Sequence, residues 1–228
     1  SKANNIALKK AQGEYVLILN PDTELASDSL QKLVGFMDKN PKFSMVTPKV
    51  ELPSGKLDRD CRRSFPTPWR SFPHFSGLSK VFPKSKTFDS YYLNYLDVNA
   101  QHEIDACEGA FMLTRRKDLE KVGFFDEDFF FYGEDLDLCY RFKKIGFKIL
   151  YSPITKVIHH KGASSGIKKE SKDITLASRE SKKKALAEST RAMKLFYKKH
   201  YYDKYPWAVT FLVLATISII EKLRLARV

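Results

Sequence analysis

The chain has 228 residues, 43% of them hydrophobic, which suffices for one sizeable α/β domain and excludes a disordered protein. Its formal charge of +13 suits an acidic partner such as nucleic acid, an anionic membrane surface or a phosphorylated substrate. Three widely spaced cysteines without a CxxC pair argue against a disulfide framework or a zinc knuckle, and they favour a reducing compartment.

The first elements alternate between helix and strand. Residues 2–12 are predicted to form a short helix that ends at Gly13, and the apolar run 15–19 predicts a strand in the parallel interior of a sheet. Ligands gather beyond the carboxyl ends of such strands, which is where Asn20 and Asp22 lie.

The middle of the chain contains a long segment without a clear pattern. A helix over 28–38 and a strand over 43–52 come first, followed by the proline-interrupted region 61–101, which predicts an irregular insert. Inserts of this length tend to be functional lids or binding walls, with a disordered linker as the alternative. Its aromatic residues favour an ordered wall, and Trp69 is a candidate substrate contact.

The later elements are again predicted to be a mixture of strands and helices. A strand is predicted over 105–114, short helices over 117–122 and 134–144, and short strands over 147–151 and 156–160. No repeat of fixed period is present in the sequence, which excludes solenoids and propellers.

These elements divide the chain into two parts. Residues 1–166 are predicted to form one mixed domain, and residues 167–228 a basic helical tail. Within the tail, the uncharged segment 207–220 is shorter than the roughly 20 residues that span a bilayer, which predicts an interfacial or protein-packed helix. Its lysine and arginine flanks suit an anionic leaflet.

Asp22 is the first candidate for chemistry. A carboxylate at the end of a strand can hold Mg²⁺ or Mn²⁺, hard cations that also bridge the oxygens of a diphosphate. The alternative is that Asp22 only forms part of a turn, because the sequence Asn-Pro-Asp-Thr is common in turns.

A second acidic group opens the predicted helix over 134–144. Glu134, Asp135 and Asp137 would be common there as capping residues alone. Several acids nevertheless crowd beside the aromatic run 129–132, and such repulsion persists more readily where a cation or substrate offsets it. The start of a helix also suits a general base.

His159 and His160 close the last predicted strand. Because side chains alternate along a strand, the two imidazoles should point to opposite faces, so at most one can share a site with Asp22. Paired histidines are also often structural or exposed.

Together these residues resemble a known family, the inverting glycosyltransferases of family 2 with the GT-A fold, especially bacterial rhamnosyltransferase-like and galactofuranosyltransferase-like members. The resemblance runs from Asn4 to about Ser165. It rests on Asn4-Asn5, Gly13-Glu14-Tyr15 leading to Asn20-Pro21-Asp22, Gly109-Ala110-Phe111-Met112-Leu113 with Arg115-Arg116, Phe125-Asp126-Glu127, and Tyr132-Gly133-Glu134-Asp135-Leu136-Asp137-Leu138 with Arg141.

The resemblance implies a Rossmann-like mixed sheet flanked by helices and followed by a helical tail. It implies a nucleotide-sugar donor, a divalent cation (Mg²⁺ or Mn²⁺) on Asp22 and His159, and Asp135 as general base with Glu134 beside it. His159 matches the family's His-x-x-Gly-x-Ser position better than His160. The implied substrate contacts are Asn5, Asn20, Gly109, Ala110, Asp137 and Arg141, together with Trp69.

Two departures from the family pattern shape the expectation. The base-binding βαβ unit is expected before the point where this chain opens, which predicts an N-terminally incomplete domain whose fragment alone is inactive. Ala7 stands where many relatives have Gly near the nucleotide. The Gln-x-x-Arg-Trp signature of processive relatives is not present in the sequence, which favours addition of a single sugar.

The sequence therefore predicts transfer to a glycan or lipid-linked acceptor at the cytoplasmic face of a bacterial inner membrane, with the basic tail as a peripheral attachment. No nucleic-acid partner is expected on this hypothesis. Two alternatives stay open: a nucleic-acid-binding protein that uses the lysine-rich tail, and a catalytically silent scaffold whose acids are helix caps.

Overall fold

The computed structural model of the protein describes residues 1–161 and 178–226. The strands are β1 Tyr15–Leu19, β2 Thr23–Leu25, β3 Phe43–Glu51, β4 His102–Ile104, β5 Phe111–Arg115 and β6 Lys148–His159. The helices are α1 Lys2–Leu8, α2 Ser29–Lys39, α3 Pro68–Ser76, α4 Leu78–Val81, α5 Arg116–Val122, α6 Glu134–Lys144, α7 Arg179–His200 and α8 Trp207–Leu225. The predicted boundary at residue 166, the loop from 162 to 165 and Arg227 lie outside the described residues.

All six strands belong to one mixed sheet in the order β1-β5-β3-β6-β2, with β4 paired to β6. β3 and β6 run parallel at its centre, with Val46 opposite Leu150 and Val50 opposite Val157. Leu33 and Met37 of α2 are fully buried in the same hydrophobic core. The predicted α/β class, a mixed sheet flanked by helices, is confirmed.

The prediction that β1 lies in the parallel interior is wrong. Among the described residues β1 pairs only with β5, and the pair is antiparallel, with Leu19 opposite Phe111. An apolar run indicates that a strand is buried but does not determine the direction of its neighbour. The antiparallel pairing brings the end of β1 beside the start of β5.

The two short strands predicted over 147–151 and 156–160 are one strand, β6. The parallel register shifts where Pro48 faces Ser152 and the next pair is Lys49 with Lys156. The three residues skipped on β6 begin with Pro153, which has no N–H for the ladder, so the strand bulges without ending.

The strand predicted over 105–114 is shorter, because only Phe111–Arg115 is in the sheet. Residues 105–110 form a loop between β4 and β5, tied to the insert where Arg63 and Ala106 exchange backbone hydrogen bonds at 2.9 Å. Sequence analysis did not predict β4 or β2, each of which has three residues. The loop 105–110 passes between two acidic groups, since Glu108 contacts Lys161 and Gly109 contacts Asp135.

The insert over 61–101 is less irregular than predicted, since it contains α3 and α4. The side chain of Thr67 caps α3 and Pro68 occupies its first turn, which is a favourable start for a helix. Gly77 separates the two helices with a φ of 85°, a conformation that favours glycine. The lid or wall function of the insert stays a prediction.

The first helix ends earlier than predicted. α1 stops at Leu8, and Lys10 and Ala11 then donate to the carbonyls of Ala7 and Leu8, an i to i+3 pattern that closes the last turn. Gly13 lies in the loop beyond and is not the cap.

The C-terminal helices pack on the domain. Ala192, Phe196 and Tyr197 of α7 belong to the same hydrophobic core as the sheet. The division into residues 1–166 and 167–228 stays a prediction. Within the described residues, no helix combines the length and the apolar content needed to cross a bilayer.

Candidate functional site

The acid that follows β1 lies beside the loop between β4 and β5. The backbone N–H of Asn20 donates to the carbonyl of Ala110 at 3.3 Å, and the hydroxyl of Thr23 donates to the same oxygen at 3.3 Å. These bonds follow from the antiparallel β1–β5 pairing, and they fix the turn that carries Asp22.

His159 lies against that turn because β2 pairs antiparallel with β6, placing Thr23 opposite His159. Its Nε2 is 3.3 Å from Oδ1 of Asp22 and 3.4 Å from the amide nitrogen of Asn20. Its Nδ1 is 3.1 Å from Oδ2 of Asp58. His159 is only 2% exposed.

His160 points to the other face of the strand, where it contacts Glu24 at 2.7 Å on the surface. The predicted alternation of the two histidines is therefore observed, and His159 is the one that lies beside Asp22.

Lys161 occupies the centre of a partly buried acidic cluster. Its ammonium lies 2.6 Å from Oδ1 of Asp58, 2.6 Å from Oδ2 of Asp60 and 2.8 Å from Oε2 of Glu108. These acids come from the start of the insert and from the β4–β5 loop, so Lys161 ties both segments to the end of β6.

The ionisation of this cluster follows from its contacts. Burial alone would raise the pKa of Asp58, but the hydrogen bond with His159 and the charge of Lys161 outweigh it and lower that pKa to about 2. Burial would lower the pKa of His159, but the hydrogen bond with Asp58 and the charges of Glu108 and Asp22 raise it. The pKa of Lys161 is raised, because the three carboxylates outweigh its burial.

The second acidic group is at the start of α6. Asp135 is buried, and its Oδ2 accepts hydrogen bonds from Arg63 at 2.9 Å and from the backbone N–H of Gly109 at 3.2 Å. Its Oδ1 accepts from the N–H of Leu136 at 2.6 Å. Both oxygens are thus held in fixed positions.

Glu134 differs from its neighbour. Its Oε2 is buried and has no hydrogen-bond partner among the described residues. Burial, and next the charge of Asp135, raise the pKa of Glu134 to about 7. Glu134 therefore takes a proton more readily than an exposed glutamate does.

The β4–β5 loop connects the two acidic groups. Gly109 contacts Asp135, the next residue Ala110 contacts Asn20, and the preceding residue Glu108 contacts Lys161. Asp60 provides a second link, because it contacts both Lys161 at 2.6 Å and Arg63 at 3.7 Å. The acid after β1 and the acid opening α6 thus belong to one continuous network of polar contacts.

Other predicted site residues lie elsewhere. Asp137 is fully buried and contacts Arg141 at 2.8 Å, Lys199 at 2.7 Å and His200 at 2.7 Å. These bonds hold down the pKa of Asp137 against its burial, to about 2. Arg141 also donates to backbone carbonyls of the segment 122–124. Both side chains are thus engaged in holding α6 to its neighbours.

Asn5 and Trp69 lie on other elements, α1 and α3. The amide of Asn5 bonds to the backbone of Phe125 at 2.9 and 3.0 Å and to Glu127 at 3.0 Å, which joins α1 to the loop before α6. Trp69 is 59% exposed on α3. The substrate-binding roles of Asn5, Trp69, Asp137 and Arg141 stay predictions.

Sequence reasoning missed five residues of the network, which are Asp58, Asp60, Arg63, Glu108 and Lys161. They come from three segments far apart in the chain, and only Glu108 had a local signal, because it directly precedes the Gly109-Ala110 motif.

Two sets of donors could hold a divalent cation. Asp22 and Nε2 of His159 offer one oxygen and one nitrogen at the end of β1, a donor set suited to Mn²⁺ or Mg²⁺ with further oxygens from a diphosphate. Asp58, Glu108 and His159 also offer ligand atoms within 4.8 Å of one another. The ammonium of Lys161 already lies between the two carboxylates of that second set, so the first set is the better fit.

Relatives of known function support a role in sugar transfer. The chain is 29% identical over 153 residues to N-acetylglucosaminyl-diphospho-decaprenol L-rhamnosyltransferase of Mycobacterium tuberculosis, covering 67% of this chain and 49% of that protein. It is 30% identical over 167 residues to rhamnosyltransferase WbbL of Escherichia coli, covering 69% and 59% respectively. The chain thus spans about half the length of these curated relatives.

A more distant archaeal relative and a solved structure also match. The chain is 23% identical over 164 residues to the low-salt glycan biosynthesis hexosyltransferase Agl10 of Haloferax volcanii, covering 70% of this chain and 48% of that one. A structure of GalNAc-T7 with UDP, GalNAc and Mn²⁺ aligns with a TM-score of 0.47 at 18% identity, covering 69% of this chain and 30% of that one.

The model of the family described as glycosyl transferase family 2 matches residues 1–123. That match covers more than half of the chain and extends through β1, Asp22, Asp58 and the β4–β5 loop. It favours the glycosyltransferase hypothesis over the nucleic-acid and scaffold alternatives. The chain therefore belongs to glycosyl transferase family 2.

Proposed function

We propose that the protein transfers a single sugar from a nucleotide-diphosphate-sugar donor to a glycan or lipid-linked acceptor, with inversion at the anomeric carbon. The observation that carries the proposal is the β4–β5 loop, where successive residues contact Lys161, Asp135 and the turn of Asp22. A donor group at the end of β1 and a base at the start of α6 would thereby face a common substrate.

Asp135 is the proposed general base. It would take the proton of an acceptor hydroxyl, whose oxygen attacks the anomeric carbon while the bond to the departing diphosphate breaks. Arg63 and the N–H of Gly109 hold Oδ2 at 2.9 and 3.2 Å, and the N–H of Leu136 holds Oδ1 at 2.6 Å. Oxygens held in this way keep the base in one orientation before the acceptor binds.

Asp22 and His159 are the proposed ligands of a divalent cation. When bound, the cation would supply positive charge to the diphosphate of the donor. Asn20 lies beside both ligands, with its amide nitrogen 3.4 Å from His159, and is a proposed donor contact. Because Asn20 is neutral, the site places fewer negative charges on the cation than a pair of aspartates would.

The experiment compares Asp135→Asn with the parent protein, both made as the complete gene product. An amide cannot accept the acceptor's proton, so transfer from dTDP- or UDP-linked sugars to a polyprenyl-diphosphate-linked sugar should fall by roughly 10²- to 10⁴-fold. Mn²⁺-dependent binding of the nucleotide diphosphate should persist. Asp28→Asn, at the exposed start of α2, is the matched control and should retain transfer. Normal transfer by Asp135→Asn would refute the assignment of the base.

We also propose peripheral attachment through α8 to the cytoplasmic face of a bacterial inner membrane. Large apolar residues on this helix are 55–82% exposed: Trp207, Phe211, Leu212, Ile219 and Leu223. Exposed apolar groups in this number mark an interaction surface, and Lys222 and Arg224 near the end of the helix suit anionic headgroups.

Sedimentation with vesicles tests this attachment. The parent protein should sediment with vesicles that contain phosphatidylglycerol and less with purely zwitterionic vesicles, and Phe211→Ser with Leu212→Ser should abolish most of the binding. Val81→Ser, which removes an exposed apolar residue on α4, is the control. Equal sedimentation of the α8 variant and the parent protein would argue against the attachment.

A further inference from the structure

His159 has two ring nitrogens with different partners. Nε2 faces Asp22 at 3.3 Å, and Nδ1 faces Oδ2 of Asp58 at 3.1 Å. In a neutral imidazole one nitrogen carries the proton and the other carries a free lone pair, so the partner of Nδ1 decides which tautomer forms.

Asp58 faces the Nδ1 side of the His159 ring. It is 3% exposed and is held from several sides, since Oδ1 accepts from Lys161 at 2.6 Å and from the N–H of Asp60 at 3.2 Å. Oδ2 accepts from Lys161 at 2.9 Å and contacts His159 at 3.1 Å. A carboxylate has no proton to donate, so the nitrogen that bonds to Asp58 at 3.1 Å must supply one. Nε2 lies farther from Asp22, at 3.3 Å, and also faces the amide NH₂ of Asn20 at 3.4 Å, which can donate to a lone pair there.

We propose that Asp58 is a positioning residue that keeps the proton of His159 on Nδ1 and so presents the Nε2 lone pair beside Asp22. The inference rests on the proposed function, because the lone pair matters where Asp22 and His159 hold a cation. Lys161 contributes by neutralising Asp58 and by fixing its orientation. Histidine ligands of metals commonly have such a second partner, and its removal weakens metal affinity by roughly 10- to 100-fold.

Asp58→Asn should move the proton of His159 from Nδ1 to Nε2, because the amide has almost the same shape as the carboxylate but can donate a hydrogen bond. The amide oxygen should take the Oδ1 position, where it can accept from both Lys161 and the N–H of Asp60. The ammonium of Lys161 would then give up its bond to the Oδ2 position and keep its bonds to Asp60 and Glu108. The NH₂ group then faces Nδ1 and donates to it, which forces the proton onto Nε2. That tautomer has no lone pair for a cation beside Asp22.

Long-range ¹H–¹⁵N correlation spectra of the histidine rings read the tautomer directly, without metal and without substrate. At a pH where the ring is neutral, the parent protein should show His159 protonated on Nδ1, and Asp58→Asn should show it protonated on Nε2. The affinity for Mn²⁺, measured by electron paramagnetic resonance, should fall by roughly 10- to 100-fold in the variant.

Asp60→Asn is the matched control. Asp60 contacts the same ammonium at 2.6 Å, and its N–H but not its side chain contacts Asp58. This variant should keep the Nδ1 proton and an affinity for Mn²⁺ within about threefold of the parent, which separates positioning of the ring from general loss of charge.

The outcomes distinguish this inference from the proposed function. An Nε2-protonated ring in the parent protein would overturn the inference by itself, even if Asp58→Asn failed to fold. Unchanged tautomer and Mn²⁺ affinity in a folded Asp58→Asn would also overturn it while leaving the metal site intact. A switched tautomer in a protein that binds no Mn²⁺ would support the role of Asp58 and refute the metal site instead.

Discussion

Glu134 and Asp135 are adjacent carboxylates in contrasting surroundings. Asp135 accepts hydrogen bonds from Arg63, Gly109 and Leu136, whereas the buried Oε2 of Glu134 has no partner among the described residues. A carboxylate without donors is costly to ionise when it is buried next to another negative charge. Glu134 is thus suited to hold a proton, whereas the hydrogen bonds of Asp135 fix its orientation.

Glu134→Gln should change the dependence of stability on pH. The pKa of Glu134 is raised in the fold from 4.5 to about 7, so the stability that its protonated form contributes is present below pH 4.5 and is lost as pH rises to about 7. Glutamine imitates the protonated form and does not ionise. The variant should therefore gain roughly 3 kcal/mol over the parent as pH rises between those values.

Urea unfolding at pH 4.5, 6 and 8 measures this difference. Glu14→Gln, an exposed acid before β1, is the control and should follow the parent protein. A difference in the free energy of unfolding between Glu134→Gln and the parent that stays constant over this range would contradict the raised pKa.

Some individual residues of the candidate site could be predicted from the sequence. Asp22 followed an apolar run, Asp135 opened a helix pattern, and His159 alternated with His160, so local patterns identified all three. Lys161, Asp58 and Asp60 had no such signal, because their meeting depends on the pairing of strands that are distant in the chain. Tertiary contacts of this kind have no period to detect.

The helix that carries Asp135, the proposed base, is α6, and its start depends on Gly133. This residue has a φ of 82°, and a Cβ there would lie 3.2 Å from Phe129 and 3.3 Å from Ala192 of α7. Gly133 therefore serves both the left-handed turn before α6 and the close approach of α7.

Gly133→Ala should destabilise the protein more than Gly77→Ala. Gly77 has a φ of 85°, nearly the same as Gly133, but a Cβ there would meet nothing within 4 Å. The backbone strain of about 1–2 kcal/mol is thus common to both variants, and the contacts with Phe129 and Ala192 add to it only at Gly133. Thermal unfolding of both variants measures the difference, and equal melting temperatures would contradict the close packing at Gly133.

Elements were predictable where their patterns were local. The helices α2, α5 and α6 were placed to within a residue or two, because periodic apolar residues and glycine or proline stops bound them. The antiparallel direction of β5 relative to β1 was not predictable, because an apolar run does not indicate whether the neighbouring strand is parallel or antiparallel. The continuity of β6 across Pro153 depends on its central position between β3 and β2, which only the sheet reveals.

For the molecule as a whole, Asp137 joins the C-terminal helices to the domain. It lies on α6, is fully buried, and contacts Lys199 and His200 of α7 as well as Arg141. Removing one member of a buried charge network leaves the other charges uncompensated. α7 is thus held against α6 by charge as well as by its apolar residues.

Asp137→Asn should lower the free energy of unfolding at pH 7 by roughly 3 kcal/mol. The pKa of Asp137 is lowered in the fold from 3.8 to about 2, so its stabilising contribution is present above pH 3.8 and is lost as pH falls through about 2. The gap between parent and variant should therefore narrow in acid, as urea unfolding at pH 7 and pH 3 would show.

Asp126→Asn is the control for this change. Asp126 also contacts Lys199, but its side chain is partly exposed, so its loss should cost less than that of Asp137. Equal losses of unfolding free energy in the two variants would contradict the role given to Asp137. A difference between Asp137→Asn and the parent that does not change with pH would also contradict it.

The central claim is that the turn of Asp22 and the start of α6 serve one reaction site, and paramagnetic relaxation by Mn²⁺ tests it most directly. The backbone N–H groups of Gly109 and Leu136 both bond to Asp135. The account predicts that Mn²⁺ broadens both amide signals strongly in the parent protein and not in Asp22→Asn. Sharp signals for both amides in a parent protein that has bound Mn²⁺ would contradict it.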